Sequence, residues 1–303
     1  MIYDVNGNVA KALLDIDGNA TDVFYDIHGS KYARTPIGDI VAMSYNVQHW
    51  QNSNYIHKLV NSIFSAHNPD LIAFQEYDSG DKLEGYSSGT TNDFITEYAD
   101  YLEEGNLSGD GAALAIASNY ELTSAETVRF ESVPSDRYQK AYITIGGKRI
   151  AVYNVHLTWD SESPAKRYAE AQELFEVLRN EEYFILIGDV NTTCESTEDE
   201  SYIQMVKPFV DAGCGVANCT DERGFNYTFT DGTIGSHGVA KSDGTSAEWY
   251  AHDNIITSGN IEITTVVIDD KKLNYVTTGW AHVPVDHLPI VAHLTVYDYV
   301  KTE

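Results

Sequence analysis

The stretch Phe184-Ile185-Leu186-Ile187-Gly188-Asp189-Val190-Asn191 decides the predicted fold. Its first four residues are apolar and typical of a strand, and Gly188 ends this run abruptly. Side chains two positions apart on an extended chain lie on one face, so Asp189 and Asn191 can contact the same small ligand. A metal-bound phosphate or an activated water suits a carboxylate beside a carboxamide. A strand-ending turn followed by an Asn cap is the alternative interpretation.

The length and composition of the chain fit a globular protein. Its 303 residues can bury a large core as one α/β domain or two smaller ones. A hydrophobic content of 43% is ordinary for this class, and no apolar run approaches the roughly 20 residues that span a bilayer. Met1-Ile2-Tyr3-Asp4 has neither the basic leader nor the apolar segment of a signal peptide. We therefore expect a soluble protein and leave its localisation open.

The charge balance restricts the choice of partners. Forty-six acidic residues against 19 basic ones give a formal net charge of −27. Such a field repels polyanions and attracts cations, which argues against a broad, non-specific nucleic-acid surface. It does not exclude a nuclease, because a bound divalent cation and a few bases can reverse the potential inside one cleft. A surplus of surface carboxylates can also serve solubility alone.

The three cysteines, Cys194, Cys214 and Cys219, permit at most one disulfide. No C-x-x-C pair occurs, so a zinc site built on cysteine is not expected. Cys214 can pair with Cys219, or one of them with Cys194, and a fully reduced chain fits the sequence equally well.

The first 35 residues carry an internal repeat. Three copies of one unit begin eleven residues apart, at positions 3–8, 14–19 and 25–30. Each copy has Asn, Asp or His before Gly between β-favouring residues, which is the chemistry of tight turns. We predict a small β-repeat appendage over residues 1–35 and a main domain over 36–303, with the boundary at Thr35-Pro36. Short tandem units of this kind mediate attachment or assembly more often than catalysis.

Strand and helix patterns alternate along the main domain. Strand patterns occupy residues 39–47, 71–74, 111–118, 140–145, 149–155, 184–187, 253–256, 261–268 and 290–296. Helical spacing of apolar residues occurs around 56–64, 92–104, 163–178 and 205–210. Gly146-Gly147 is expected to join two of the strands as a hairpin. Strands interleaved with helices in this way predict a layered α/β sandwich.

Polar side chains follow the predicted strands where each strand ends. They are Asn46, Gln75-Glu76, Asn154 with His156, Asp189 with Asn191, and Asp286-His287, with Asp253 as a sixth candidate. No motif for a nucleophilic Ser or Cys accompanies them, so covalent catalysis is not expected. Carboxylate and amide oxygens with few nitrogens suit Mg²⁺ or Mn²⁺. The strand ends therefore predict one convergent site that binds a divalent cation.

Five of these motifs, in order, resemble the signatures of the endonuclease/exonuclease/phosphatase superfamily. They are Met43-Ser44-Tyr45-Asn46-Val47, Phe74-Gln75-Glu76, Tyr153-Asn154-Val155-His156-Leu157, Ile187-Gly188-Asp189-Val190-Asn191 and Val285-Asp286-His287-Leu288-Pro289-Ile290. The resemblance covers about residues 39 to 298 and implies the deoxyribonuclease I-like fold. This fold is a four-layer α/β sandwich of two mainly antiparallel sheets flanked by helices. The resemblance also implies that residues 36–303 form a catalytic domain for metal-dependent phosphoester hydrolysis.

The resemblance implies roles for the residues that match the superfamily motifs. Glu76, Asn46 and Asp286 are the expected metal ligands, with Mg²⁺, Mn²⁺ or Ca²⁺ as the cation. The cation would polarise a phosphoryl oxygen and stabilise the developing charge. Asp189 would position or deprotonate the attacking water, and Asn191 would bind the phosphate.

Two histidines complete the site that the resemblance implies. His156 and His287 would contact the phosphate from the two halves of the fold, and one of them would protonate the leaving group. Asp253 would orient His287. The sequence departs from the superfamily pattern here, because His252 and Asn254 flank Asp253. This departure leaves the partner of His287 to be established.

The substrate is less closely defined than the reaction. A deoxyribonuclease I-like endonuclease acting on DNA is the leading expectation, because Cys194 follows the Gly-Asp-Val-Asn motif where such sequences also carry a cysteine. Asn46, Asn154 and a basic residue, Arg137 or Lys140, would contact the substrate phosphate. The basic residues are few and scattered, which argues against an extended nucleic-acid surface.

Three alternatives to a nuclease stay open. A sphingomyelinase-like enzyme needs an exposed aromatic patch, for which Trp159, Trp249 and Trp280 are candidates. A small soluble phosphodiester or phosphomonoester suits the acidic surface. A binding or assembly module that kept the fold and lost activity predicts gaps in the set of acidic residues and histidines, and the sequence has none.

Overall fold

The computed structural model describes residues 23–25, 30–47, 53–77, 89–105, 113–159, 164–192, 200–217, 237–240, 247–250, 252–268 and 287–302. Two copies of the N-terminal repeat and most of the third lie outside these residues, so the separate appendage stays a prediction. Cys194, Cys219, Trp280 and Asp286 also lie outside them. Cys214 is described and buried.

The described residues form strands and helices in the following order. The strands are β1 Val23–Tyr25, β2 Lys31–Asn46, β3 Leu71–Tyr77, β4 Tyr101–Glu104, β5 Ala113–Ser118, β6 Thr123–Arg129, β7 Arg137–Ile145, β8 Lys148–His156, β9 Phe184–Asp189, β10 Gly215–Val216, β11 His237–Ala240, β12 Ala247–Tyr250, β13 Asp253–Thr257, β14 Ile261–Ile268 and β15 Ile290–Lys301. The helices are α1 Ser53–His67, α2 Thr91–Ile95, α3 Pro164–Leu178 and α4 Lys207–Asp211, and a π-helical turn, Tyr202–Val206, precedes α4. None of these helices is long and apolar enough to cross a membrane.

Most of the strands belong to two sheets. The first has the order β14-β15-β2-β3-β5-β4, with β1 paired to the start of β2, and the second has the order β10-β13-β9-β8-β7-β6. Each sheet has one parallel pair, β2 with β3 and β8 with β9, and the other pairs are antiparallel. A helix joins each parallel pair, α1 in the first sheet and α3 in the second. The two halves of the fold therefore repeat the same β-α-β unit.

Three apolar layers hold the sandwich together. One lies between the sheets and includes Ile40 and Ile187, while two outer layers pack α1 and α2 on the first sheet and α3 and α4 on the second. On β9, Ile185 and Ile187 face the other sheet, and Phe184 and Leu186 face the helices. A strand buried on both faces requires the continuous apolar run that the sequence shows. The predicted four-layer α/β sandwich is confirmed.

One detail of the prediction is wrong at the first sheet. The helix predicted over residues 92–104 ends at Ile95, and Tyr101–Glu104 instead pairs with β5 as an edge strand. The helical spacing arises because Phe94 and Tyr98 pack into the outer layer, while Leu102 lies in the sheet opposite Ala117. Strand β2 runs without a break across residues 35 and 36, and the domain division expected there stays a prediction. Pro36 is tolerated there because the β2–β15 register shifts beside it.

Candidate active site

The carboxyl ends of β2, β3, β8 and β9 meet at one end of the sandwich. Asn46, the last residue of β2, is buried there and binds two carboxylates at once. Its Nδ2 donates to Glu76 Oε1 at 3.0 Å and to Asp189 Oδ2 at 3.1 Å. One amide therefore links the strand ends of the first sheet to the end of β9 in the second.

Glu76 reaches this point through an irregular strand end. Regular alternation on β3 turns Phe74 towards the helices and Gln75 towards the second sheet, so Glu76 should face the helices. The register with β5 shifts between Phe74 and Tyr77, and Glu76 has a φ of +53°. This conformation costs a residue with a Cβ about 1–2 kcal/mol. The bulge turns the Glu76 carboxylate into the site and returns Tyr77 to the core.

Two histidines flank the Asp189 carboxylate. His156 Nε2 lies 3.6 Å from Asp189 Oδ2 and 3.9 Å from Glu76 Oε1. His287 Nε2 lies 3.5 Å from the same Asp189 oxygen. The side chain of His156 is 26% exposed and that of His287 only 6%. Of the two imidazoles, His156 is therefore the more accessible to a substrate.

Asp253 is the partner of His287. Strand β13 pairs Asp253 directly with Asp189 across the ladder, and His287 Nδ1 lies 2.8 Å from Asp253 Oδ2. The imidazole thus joins the two carboxylates through its opposite nitrogens. His252, before the strand, is also buried, with its ring centroid 6.4 Å from that of His287. The unusual neighbours of Asp253 therefore do not displace it from the site.

Asp189 is buried, and its charge is balanced by its surroundings. Burial opposes ionisation, but His287, His156 and His252, together with the Asn46 amide, hold the pKa of Asp189 well below its usual range. Asp189 Oδ1 also accepts a hydrogen bond from the backbone N–H of Asn191 at 2.9 Å. The centre of the site is therefore the Asp189 carboxylate, which has little contact with solvent.

The Gly-Asp-Val-Asn motif has a steric explanation. Gly188 has a φ of +152°, and a Cβ at this position would lie 2.1 Å from the carbonyl oxygen of Val155 on β8. Only glycine fits between these strands. Asn191 has a φ of +49°, which Asn tolerates, and its Nδ2 donates to Leu157 O at 2.8 Å. This hydrogen bond ties the loop after β9 to the loop after β8.

Asn154 lies beneath the site, in the interior between the sheets. Its Nδ2 donates to the carbonyl oxygens of Phe74 at 2.9 Å and Ala115 at 3.0 Å, and its Oδ1 accepts from Gln75 Nε2 at 2.8 Å. The bulge in β3 interrupts the ladder at these carbonyls, and the Asn154 amide supplies their donors. Because Asn154 is fully buried and hydrogen-bonded inside the protein, we do not retain it as a substrate contact.

The two basic candidates lie on different faces of β7. The β7–β8 register pairs Tyr138 with Val155, so Arg137 falls beside His156 on the face towards the first sheet. Arg137 is partly buried there. Lys140 lies on the helix-facing side, where its Nζ binds Glu181 Oε1 at 3.0 Å. Of the two, Arg137 is near the site and Lys140 is not.

A cluster of hydrogen bonds behind His156 is missing from the sequence-based prediction. Thr158 N donates to Glu170 Oε2 at 2.8 Å, and Thr158 Oγ1 lies 2.9 Å from Glu170 Oε1 and 2.7 Å from Asp136 Oδ2. Arg167 Nη1 donates to Thr158 O at 3.2 Å. We call these four residues the Thr158 clamp. The only sequence signal is the charge of Arg167 and Glu170 on a helix face that should be apolar.

Burial raises the pKa of Glu170 to about 8, and the nearby Asp136 adds to the increase, while hydrogen bonds from Thr158 oppose it. A protonated Glu170 also fits the geometry, because the Thr158 hydroxyl has one hydrogen for two acidic neighbours. Glu170 Oε1–H can donate to Thr158, which then donates to Asp136. The clamp is therefore consistent with one shared proton.

Solved structures of several proteins are similar to this chain. TDP2 of D. rerio, in complex with a single-strand DNA product, superposes with a TM-score of 0.63 at 14% identity, over 85% of this chain and 99% of that one. An AP endonuclease from Archaeoglobus fulgidus gives a TM-score of 0.58 at 17% identity, over 84% and 98%. The human Nocturnin catalytic domain with bound sulfate gives 0.57 at 14% identity, over 89% and 98%. At these identities the similarity establishes the fold.

The family follows from the sequence itself. Residues 43–270, more than half of the chain, match the family model described as Endonuclease/Exonuclease/phosphatase family. The chain therefore belongs to this family, as its five strand-end motifs imply. A comparison with curated protein sequences gives no match.

Proposed function

We propose that this protein is a metal-dependent phosphodiesterase that acts on nucleic acid as a deoxyribonuclease I-like endonuclease. One observation carries the proposal: the buried Asp189 carboxylate lies between His156 and His287 and is joined to Glu76 through Asn46. Such a group can orient water, accept its proton and contact a phosphate. Membership of the family supports the reaction class.

The donor set fits a hard divalent cation. Glu76 Oε1 and Asp189 Oδ2 both lie within hydrogen-bond distance of one Asn46 nitrogen, so two carboxylates and an amide converge on a small volume. Oxygen donors of this kind suit Mg²⁺ or Mn²⁺, and less specifically Ca²⁺. We propose Glu76 and the Oδ1 atom of Asn46 as ligands, with Asp286 from the sequence motif. A bound cation would polarise a phosphoryl oxygen and offset its developing negative charge.

A second cluster could also hold a cation. Ligand atoms of Asp189, Asp253 and His287 lie within 4.8 Å of one another. His287 directs one nitrogen at each carboxylate, however, and this arrangement suits a hydrogen-bond chain better than coordination. We therefore assign Glu76 and Asn46 to the cation and the Asp189–His287–Asp253 chain to proton transfer.

The proposed reaction is attack of water on phosphorus. Asp189 orients the water and accepts its proton, while the new P–O bond forms opposite the bond to the leaving oxygen. Asn191 and the partly exposed His156 contact the phosphoryl oxygens, and Arg137 adds a positive charge on the same face. His287, held by Asp253 through Nδ1, donates a proton to the leaving oxygen as the second P–O bond breaks.

Nucleic acid is the favoured substrate class. Two proteins of similar fold support this choice. TDP2 of D. rerio is complexed with a single-strand DNA product, and the protein from Archaeoglobus fulgidus is named an AP endonuclease. The net charge of −27 favours a second candidate, a small soluble phosphodiester, which avoids long-range repulsion. An inactive binding module is disfavoured, because the described residues of the expected site converge.

A panel assay tests the proposal. Plasmid DNA, a single-stranded oligonucleotide, sphingomyelin, inositol phosphates and bis-p-nitrophenyl phosphate are each incubated with Mg²⁺, Mn²⁺, Ca²⁺ or chelator. We expect hydrolysis of DNA and of the synthetic diester with Mg²⁺ or Mn²⁺, and none with chelator.

The histidine variants assign the roles. His156→Ala and His287→Ala should each lower kcat by about 10²- to 10⁴-fold, while circular dichroism shows that both variants keep the wild-type fold. No metal-dependent turnover of any substrate would overturn the proposal. Turnover of sphingomyelin or inositol phosphates alone would keep the reaction class and replace the nuclease assignment.

A further inference from the structure

Trp159 exposes a large aromatic side chain close to the candidate site. It is 72% exposed and follows His156 by three residues, so at most about 11 Å separates their Cα atoms. We propose that Trp159 is a stacking platform for the nucleobase next to the scissile phosphate of a single-stranded nucleic acid. This inference rests on the proposed phosphodiesterase function and specifies its substrate.

The backbone that carries Trp159 is held in place before any substrate arrives. Leu157 N donates to Asp189 O at 2.9 Å, and Leu157 O accepts from Asn191 Nδ2. The Thr158 clamp then fixes the N–H, the hydroxyl and the carbonyl of the next residue. Trp159 therefore starts from a backbone position fixed relative to Asp189. A pre-ordered aromatic anchor loses little conformational entropy when a ligand binds it.

The charge of the protein explains why a neutral contact is needed. A chain with a net charge of −27 and only 19 basic residues is poorly suited to binding nucleic acid through many phosphate contacts. Stacking of a base on an indole ring is not weakened by this field, and it contributes about tenfold or more in affinity per base. It also tolerates any sequence, because every base has a π-face.

A nucleobase fits Trp159 better than a membrane does. Insertion into a bilayer needs a group of apolar side chains, and among the described residues the other large exposed ones lie on different elements: Tyr101, Ile203, Val267 and Val300. Asp160 and Glu162 follow Trp159 in the sequence, and acidic residues in this segment do not suit an apolar membrane-binding motif. A single exposed ring suits a single planar ligand.

Binding without turnover tests the platform directly. The probe is a fluorescein-labelled, phosphorothioate-linked single-stranded octanucleotide in Mg²⁺, and fluorescence anisotropy gives its Kd. We expect Trp159→Ala to raise Kd about tenfold or more and Trp159→Phe to raise it by less than about threefold. Tyr101→Ala is the matched control, because Tyr101 is also an exposed aromatic residue and should leave Kd unchanged.

A set of probes that each lack one base distinguishes stacking from a general effect. Each octanucleotide in this set is abasic at a different single position. For the position whose base stacks on Trp159, we expect wild type and Trp159→Ala to bind the abasic probe with the same Kd. The platform is overturned if wild type does not bind the intact probe, if Trp159→Ala binds it like wild type, or if no abasic position removes the difference. It is also overturned if Trp159→Ala instead abolishes co-sedimentation of the protein with sphingomyelin–phosphatidylcholine vesicles.

The failure of this inference and that of the proposed function are distinguishable. Binding through Trp159 without turnover of any diester would support the platform and overturn the enzyme. Metal-dependent turnover with Trp159→Ala equal to wild type would support the enzyme and overturn the platform.

Discussion

Glu76 holds a backbone conformation that few residues with a Cβ adopt, and it does so at the centre of the candidate site. The bulge that imposes this conformation also directs the carboxylate to Asn46. Backbone strain at a polar strand end is typical of a functional residue whose position the surrounding fold determines. The sequence predicts Glu76 at a strand end and in the convergent site, and the bulge in β3 is the backbone feature that a regular strand pattern does not show.

The strain at Glu76 predicts an unusual order of stabilities. Glycine normally destabilises a strand relative to alanine, but at a φ of +53° it avoids the Cβ clash. We expect Glu76→Gly to unfold in urea with a free energy about 1 kcal/mol higher than that of Glu76→Ala. Both variants lose the carboxylate and should be inactive. A higher stability for Glu76→Ala would show that the bulge carries no strain.

At the scale of elements, the hydrogen-bonded network formed by the Asn154 and Gln75 amides between the sheets supports the bulge in β3. Asn154 joins β8 of the second sheet to the carbonyl oxygens of Phe74 and Ala115 in the first. The sequence places Asn154 near His156 and suggests a shared role, because period-two alternation puts both on one face. The structure separates them, since His156 lies at the end of the strand and Asn154 one pleat deeper in the core.

Removing the Asn154 amide should therefore affect folding rather than chemistry. Asn154→Ala leaves two carbonyl oxygens and the Gln75 Nε2 without this partner, and we expect a loss of about 3 kcal/mol in unfolding free energy. Ser44→Ala is the control, because Ser44 reaches the same network only through a 3.4 Å contact to Gln75, and it should cost less than about 1 kcal/mol. A stable Asn154→Ala protein without activity would restore Asn154 as a substrate contact.

The Thr158 clamp predicts a pH-dependent stability. The pKa of Glu170 rises from 4.5 to about 8 on folding, chiefly through burial, and Asp136 is the charged neighbour that adds to the rise. Between these values the folded state keeps a proton that the unfolded state loses, so stability falls as pH rises. Glu170→Gln, which retains a donor and an acceptor, should therefore gain stability relative to wild type between pH 5 and pH 8.

Glu173 provides a control of opposite sign on the same helix. Burial opposes its ionisation, but hydrogen bonds from Glu131 and Ser132 lower its pKa overall. The ionised Glu173 carboxylate therefore stabilises the folded state above its ordinary pKa, and this stabilisation is lost as pH falls. Glu173→Gln should be less stable than wild type at pH 8. Equal pH profiles of thermal unfolding for wild type and Glu170→Gln would contradict the raised pKa.

At the scale of the whole molecule, the sequence predicts the fold and much of the site for a physical reason. Buried strands require continuous apolar runs, and the polar residues that end such runs meet when parallel strands share an edge, as Asn46, Glu76, His156 and Asp189 do. Short edge strands such as β4 are not predictable in this way, because backbone pairing to β5 determines them. The Thr158 clamp depends on contacts between distant segments and leaves no local pattern.

The net charge predicts an inverted salt dependence. Basic DNA-binding proteins lose affinity as salt rises, but a protein of charge −27 repels a polyanion, and salt screens this repulsion. We expect kcat/KM for a single-stranded oligonucleotide to rise a few-fold between 20 and 150 mM NaCl. The value for bis-p-nitrophenyl phosphate is the control and should change little. A tenfold fall for the oligonucleotide would indicate a local basic surface that dominates the net charge.

The central claim is that Asp189 directs water to a phosphodiester at this site. Single-turnover cleavage of a single-stranded oligonucleotide in H₂¹⁸O with Mg²⁺ tests it most directly, with the label followed into the terminal phosphate by mass spectrometry. Wild type should incorporate one ¹⁸O per cleavage, chelator should abolish the reaction, and Asp189→Asn should slow it by at least about 10²-fold with an unchanged fold. Cleavage without label, or an Asp189→Asn protein as fast as wild type, would contradict the claim.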